Sequence, residues 1–492
     1  MLLIIFAVPA IVSLLFWCTS NKRLLHAINL IGAVLLLIFT FVITINVASN
    51  GRMVFPYDGS FLYVDSLSAI VLDTILIVGF MSMVYSVGYL EIELKREVID
   101  LKKMRLFYSL TYAFIFTMVL AVTTPNLGVL WIAIEATTLA SAFLVGFYNN
   151  NHSIEAAWKY IVICSVGIAF ALLGIILLYL STPAFGEDAK SLAFNWYYLF
   201  NHASQLNGGI LKIAFIFILV GFGTKAGFVP MHTWLPDAHS QAPSPVSALL
   251  SGVLLNSAMY AIIRILTIVN KNLGESLYTG RLLMASGILS VATAAIFILS
   301  QKDYKRLLAY SSIEHMGIMA FGLGIFTPAA LFGVLFHMLN HALTKSMLFL
   351  SSGNIYLKYE TRQISKVRGL LRAMPITGIV FLFGIFAIAG MPPFGVFFSE
   401  LKIIFAAFNA DYIVPAVILV LLLAAVFAVV AVVLLEMFYG DKSSETPPKG
   451  KINHLGVAVT ILMLVLIVVI GLFMPQPLTK ILTNAAATIA GK

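Results

Sequence analysis

Hydrophobic runs close to or above 18 residues recur from one end of the chain to the other, separated by short polar segments. Runs of that length read as helices that cross a bilayer. The pattern predicts about 14 spans, at roughly 1–18, 25–47, 63–89, 106–123, 126–148, 156–180, 208–235, 244–268, 281–299, 307–324, 329–356, 375–400, 411–437 and 454–474. The alternating ten-residue segments of a transmembrane β-barrel are absent. The expected fold class is an all-α polytopic membrane protein.

Two of the runs are interrupted. The seventh contains GFGTKAGFVP, with Lys225 five residues before Pro230. The twelfth contains AGMPPFGVFFSE, with Glu400 seven residues after Pro393. Proline removes a helix hydrogen bond, and irregular backbone at membrane depth persists only where it lines protein or water. Spans four to eight and nine to thirteen then form two five-helix units, each broken in its fourth helix. An odd number of helices makes consecutive units insert in opposite senses. This predicts two inverted repeats, 105–268 and 280–437, with three helices in 1–104 and a last span and short tail in 454–492, all in one membrane domain. Proline kinks used only for packing are the plainer reading of the breaks; they leave the adjoining charges unexplained.

Composition agrees with a membrane protein. The chain is 61% hydrophobic and 10% charged, against about 25% charged residues in soluble domains. The N-terminus has neither a positive n-region nor a small-residue cleavage site, and reads as a retained helix. Cys18 and Cys164 fall in apolar runs without metal-ligand spacing and read as packing residues. With no Gly-rich phosphate loop and no cysteine cluster, no cofactor or metal site is expected in this chain.

The net charge of +9 follows from topology. If both termini lie outside, the inner segments hold three times as many Lys and Arg as the outer ones, which carry Arg52, Lys190, Lys271, Arg281, Lys480 and Lys492. That bias sets both termini outside. The lipid bilayer explains the basic excess, and nucleic acid is not needed. A remaining group lies within spans. Lys212 and Arg264 sit near span ends and are expected to snorkel. Lys159, Lys225, Lys345 and Lys402, with Asp73, Glu135, Glu314, Glu400 and Glu436, need another reason, because charge near the bilayer centre costs about 2.5–3.5 kcal/mol on insertion scales. Such residues mark ion or proton paths.

Lys225 needs a counter-ion, and Glu135, mid-span in LGVLWIAIEATTLASAFLVGF, is the natural candidate; a static buried ion pair is the alternative role for the two. His337, His341 and Lys345 recur every four residues and share a helix face. A His-His-Lys stripe suits proton relay; hydrogen-bonding glue between helices is the other reading. No carboxylate adjoins the stripe in sequence, which argues against a metal site. Glu314 and His315 are adjacent and point apart, and Glu314 is the better candidate for the path. Glu155 and Lys159 are spaced for a helical ion pair. His232 and His239 flank WLPDA and suit an access funnel. Asp65 and Asp237 sit near span ends as caps or anchors.

These residues carry a resemblance. VGFGTKAGFVPMHTWLPDAHSQAPSPVSALLSG resembles the signature of the antiporter-like subunits of respiratory complex I, multisubunit Na⁺/H⁺ antiporters and group 4 membrane-bound hydrogenases. KYIVICSVGIAFALLG and AYSSIEHMG are most similar to component F of hydrogenase-4 and formate hydrogenlyase-type complexes. The resemblance covers about residues 60 to 475. It implies a proton or sodium path in which Glu135, Lys225, His337, His341, Lys345 and Glu400 take part, supported by Glu155, Lys159, His232, His239 and Glu314. It implies partners: other antiporter-like membrane subunits, a membrane anchor subunit, and large and small NiFe hydrogenase subunits that hold the nickel–iron centre and iron–sulfur clusters. It implies a prokaryotic cytoplasmic (inner) membrane. A Na⁺/H⁺ antiporter subunit without a redox partner, a complex I subunit and a non-translocating scaffold are the competing readings. Two departures stand out. Many relatives carry lysine where SGVLLNSAMY has Asn256, so the relay is expected to pass through Lys345. Some relatives end in a long lateral helix, whereas this chain stops at Lys492.

Overall fold

The computed structural model describes residues 2–56, 61–183, 192–439 and 450–491. Lys190, Lys442, Lys449 and Lys492, and the side chain of Glu436, lie outside the described residues. In chain order the main helices are α1 (Leu2–Leu15), α2 (Lys22–Asn50), α3 (Ser66–Lys95), α4 (Leu101–Thr123), α5 (Leu127–Val145), α6 (Asn151–Leu180), α7 (Gly208–Ala226) and α8 (Trp234–Gln241). They continue as α9 (Ser244–Leu273) and α10 (Leu277–Ile298), then α11 (Tyr304–Ile325), α12 (Pro328–Tyr359), α13 (Pro375–Ile388), α14 (Gly395–Asn409), α15 (Ile413–Tyr439), α16 (His454–Leu472) and α17 (Gln476–Ile489). Among the described residues, ten helices are long and apolar enough to cross a membrane.

Helix boundaries follow from capping chemistry. Asn126 accepts the Gly128 and Val129 N–H groups to start α5. Asn150 and Ser153 make a reciprocal capping box at α6. Thr327 caps α12 and Pro328 takes its first turn. α9 is continuous but contains one π-helical turn at Leu250–Leu254, a feature that often marks functional sites. α9 is buried from Ser244 to Asn270 and packs against α3, α7 and α12. It is the centre of the bundle. α6 lies along α7, α10 along α11, and α14 along α12, while α8 bridges α6 and α11.

Both predicted breaks exist. α7 ends at Gly227, whose φ of +85° is left-handed and suits glycine. The freed backbone groups find internal partners: Phe228 N–H bonds Gly223 O at 2.8 Å, the Trp234 indole donates to Thr224 O at 2.9 Å, and Val229 N–H donates to Ser290 Oγ at 3.1 Å. The second break separates α13 from α14 and turns at Gly390, φ +67°.

Three features depart from expectation. A small antiparallel hairpin, β1 (Arg52–Phe55) and β2 (Leu62–Asp65), precedes α3 in the register Arg52↔Asp65 to Phe55↔Leu62. Four-residue strands fall below what a span-length window detects. The expected short tail contains α17, which buries Ile481, Leu482, Ala485, Ala486 and Ile489 and packs on α3 and α12. Arg264 does not snorkel. It is buried, and its guanidinium forks onto Asp65 at 2.6 and 2.7 Å, with a third bond to Ser68 Oγ at 2.8 Å. A fixed carboxylate at the junction of β2 and α3 offers a better partner than the interface, because the fork matches its two oxygens. Asp65 also caps α3 through Ser68 N–H, as its position suggested.

Candidate functional site

Lys225 sits in the last turn of α7, fully buried. A cation is favoured there by the helix dipole. Its Nζ donates to Thr138 Oγ1 and to the Tyr160 hydroxyl, both at 2.7 Å. Thr138 Oγ1 in turn approaches Glu135 Oε2 at 3.4 Å, and Ser165 Oγ donates to Glu135 Oε1 at 2.7 Å. The expected direct Glu135–Lys225 ion pair is therefore absent among the described residues; one hydroxyl stands between the two groups. The reason is helical geometry. Thr138 lies one turn after Glu135 on α5, so it faces α7 beside the carboxylate. Glu135 is half-buried, toward the outer edge of the bundle, while Lys225 is inside it. One hydroxyl can accept from the ammonium and donate to the carboxylate at the same time.

The second cluster centres on α12. His337, His341 and Lys345 are all fully buried. Lys345 Nζ donates to the Leu308 carbonyl at 2.9 Å. It interacts electrostatically with Glu314, without a direct ion pair among the described residues. His337 Nε2 lies 3.0 Å from His315 Nδ1, and His337 Nδ1 lies 2.9 Å from Ser399 Oγ. The His341 ring lies 5.3 Å from that of His315, tilted by 39°. Glu400 Oε1 comes within 4.0 Å of His315 Nδ1. Two expectations are corrected here. His315, set aside in favour of Glu314, is the hub of the cluster: the adjacent residues diverge as expected, but α11 points Glu314 toward Lys345 and His315 toward His337. The stripe also does meet a carboxylate. Glu400 arrives from α14, which packs on α12, and completes a metal-capable group that sequence neighbours do not supply: His315, His337 and Glu400 offer ligand atoms within 4.8 Å of one another.

His239 lies between the clusters. It is fully buried, with its ring 6.1 Å from Trp234 and 5.6 Å from Phe349, and it feels both Lys305 and Lys345. Trp234 in turn lies 4.7 Å from Tyr160, a partner of Lys225. His232 instead sits near Tyr310, at 6.5 Å, and joins neither cluster. Asn256 donates to Gly252 O within α9 at 3.0 Å and ties α9 to α12 by donating to Met338 O at 3.2 Å.

Glu155 and Lys159 pair as spaced, at 2.6 Å, but Lys159 also holds Asp237 at 3.2 Å, and Arg306 holds Asp237 at 2.7 Å. This network is surface-exposed on the lysine side and fastens α6 and α11 to α8. Lys402 lies 5.0 Å from the Phe332 ring, and Asp73 accepts from Thr44 at 2.6 Å; neither meets the clusters. The clusters also contain Thr138, Tyr160, Ser165 and Ser399, which the sequence did not single out. Thr138 and Ser399 were within reach, one turn and one residue from Glu135 and Glu400. Tyr160 and Ser165 required the α5–α6–α7 packing.

Comparison with known proteins agrees with this arrangement. Residues 124–428 match the family model described as NADH:quinone oxidoreductase/Mrp antiporter, TM. The chain is 40% identical over 391 residues, 79% of its length, to the hydrogenase-4 component F homolog of Methylacidiphilum infernorum, covering 81% of that protein. It is 32% identical to Escherichia coli hydrogenase-4 component B over 69% of its own length, but spans only half of that relative. A chain in the structure of the membrane-bound sulfane sulfur reductase, an archaeal respiratory membrane complex, superposes with TM-score 0.87 at 26% identity, covering 99% of this chain and 97% of that one. This multi-pass membrane protein therefore belongs to the NADH:quinone oxidoreductase/Mrp antiporter transmembrane family, as an antiporter-like subunit of the kind shared by hydrogenase and complex I relatives.

Proposed function

We propose that the chain moves protons, or sodium ions, as a subunit of a membrane-bound NiFe hydrogenase complex of the formate hydrogenlyase type. The observation that carries the transport reading is the run of buried polar groups from Glu135 through Thr138, Lys225 and Tyr160, past His239, to Lys345, His341, His315, His337 and Glu400. Buried titratable groups at membrane depth are costly and tend to mark ion routes. The Lys225 ammonium would pass its proton toward Glu135 through the Thr138 hydroxyl, and Lys345 would exchange with the imidazoles of α11 and α12. Glu155, Lys159 and His232 support the ends of the route, and Glu314 supports Lys345, rather than forming it. The 40% identity to a hydrogenase-4 component F homolog favours the hydrogenase branch.

On this reading about 14 spans are arranged as two inverted five-helix repeats, 105–268 and 280–437, between an N-terminal unit (1–104) and the segment 454–492. Both termini face outward from a prokaryotic cytoplasmic membrane. Redox chemistry belongs to partner chains: NiFe large and small subunits with their iron–sulfur clusters, joined through a membrane anchor and further antiporter-like subunits. The family description favours a second reading, a subunit of a Na⁺/H⁺ antiporter complex with no redox partner. A complex I subunit is a variant of the same transport role. A scaffold without transport is disfavoured by the retained Glu135, Lys225 and Lys345. The test is purification in mild detergent followed by metal analysis and ΔpH formation in vesicles. Nickel and a hydrogenase pair are expected. An assembly of antiporter subunits without nickel establishes the second reading, and normal pumping by assembled Lys225→Ala complex refutes the transport role of Lys225.

A further inference from the structure

We infer that His315, His337 and Glu400 form a binding site for a divalent transition-metal ion of the zinc type. The ligand atoms lie within 4.8 Å of one another, with 3.0 Å between His315 Nδ1 and His337 Nε2 and 4.0 Å from His315 Nδ1 to Glu400 Oε1. An ion among atoms so spaced sits at most a few tenths of an ångström beyond the roughly 2.0–2.2 Å of zinc coordination. Two imidazoles and one carboxylate with an open position is a zinc donor set. Imidazole nitrogen does not suit sodium, magnesium or calcium, which take oxygen ligands.

The surroundings prepare the ligands. Ser399 Oγ donates to Val396 O at 2.7 Å, so at its 2.9 Å contact with His337 Nδ1 it accepts. That places the His337 proton on Nδ1 and leaves the Nε2 lone pair facing His315. A hydrogen-bonded second ring nitrogen is the usual support of a metal-ligating histidine. His315 Nε2 has no hydrogen-bond partner among the described residues; the neutral ring can carry its proton there, which frees the Nδ1 lone pair for the ion. The Glu400 carboxylate packs against the turn at Gly390: a Cβ there would collide with Glu400 Oε2, and the φ of +67° already favours glycine. Glu400 also lines a cavity of about 270 Å³ bordered by Gly390, Phe397, Leu401, Val420 and Phe427, which gives the carboxylate end of the cluster an approach from outside the helices. An ion bound here would remove Glu400 and two histidines from proton exchange. That consequence rests on the transport reading above; the binding does not.

The test uses the protein as purified with its bound partners, stripped with chelator and titrated with Co²⁺, then Zn²⁺. One Co²⁺ per chain is expected, with the visible absorption of a low-coordinate nitrogen–oxygen site, displaced by Zn²⁺. His337→Gln and Glu400→Gln should abolish the band, while His454→Gln, at an exposed position on α16, should leave it intact. Ser399→Ala keeps all three ligands and should weaken binding about 10- to 100-fold, which keeps the proposal testable if a ligand variant does not assemble. An unchanged band in His337→Gln or Glu400→Gln, an unchanged affinity in Ser399→Ala, or no wild-type band overturns the site. Zn²⁺ binding that leaves ΔpH formation unaffected overturns the blocking role and leaves the binding site standing.

Discussion

Thr138→Val isolates the link between Lys225 and Glu135. Valine keeps the shape of threonine and removes the hydroxyl that accepts from Lys225 Nζ at 2.7 Å and approaches Glu135 at 3.4 Å. Lys225 retains Tyr160, and Glu135 retains Ser165, each at 2.7 Å. The variant therefore loses mainly one hydrogen bond to a charged group, worth about 1.5–3 kcal/mol. At 1.4 kcal/mol per factor of ten, that is a roughly 10- to 150-fold shift against the linked arrangement. If protons pass through this hydroxyl, ΔpH formation in vesicles, normalised to assembled complex, should fall by a factor in that range. Thr138→Ser restores a hydroxyl at the same place and should recover most of the rate. Transport by Thr138→Val within about twofold of wild type, beside an inactive Lys225→Met, would show that the hydroxyl is not on the route.

Lys345→Met should block ΔpH formation nearly as strongly as Lys225→Met, since Asn256 supplies no charge between the clusters; normal pumping would leave the α12 stripe as helix glue. His341→Gln and His315→Gln, which keep hydrogen bonding but lack an imidazole that can take up and release a proton, should slow transport while the yield of assembled complex stays unchanged. Arg264→Met leaves Asp65 buried without its partner and should cost about 3–5 kcal/mol, read as lower thermal stability in detergent. The double change Asp65→Leu with Arg264→Met should recover much of that loss, and a double variant as unstable as the single one would refute the pairing argument.

Much of the architecture is legible in one dimension. Long apolar runs impose helices because lipid offers no partner for free backbone groups, and the breaks at Pro230 and Pro393 announce themselves through residues that cannot continue a helix. The charges of the site are equally visible, since Lys225, Lys345 and Glu400 stand against an apolar background. Their partners are not. Which residue meets Lys225 depended on the packing of α5, α6 and α7, which put a threonine and a tyrosine where a carboxylate was expected. The pairing of Arg264 with Asp65 joins residues 199 apart in the chain, and nothing near either one announces the other. His315 is hidden in the sequence because its neighbour, Glu314, looks the stronger group, whereas helix rotation decided which of the two met the α12 histidines. Glu400 joined those histidines only because the second break turns α14 back against α12. Sequence determined which groups are costly to bury; only the tertiary structure determined which groups compensate them, because that depends on helix faces brought together from distant parts of the chain.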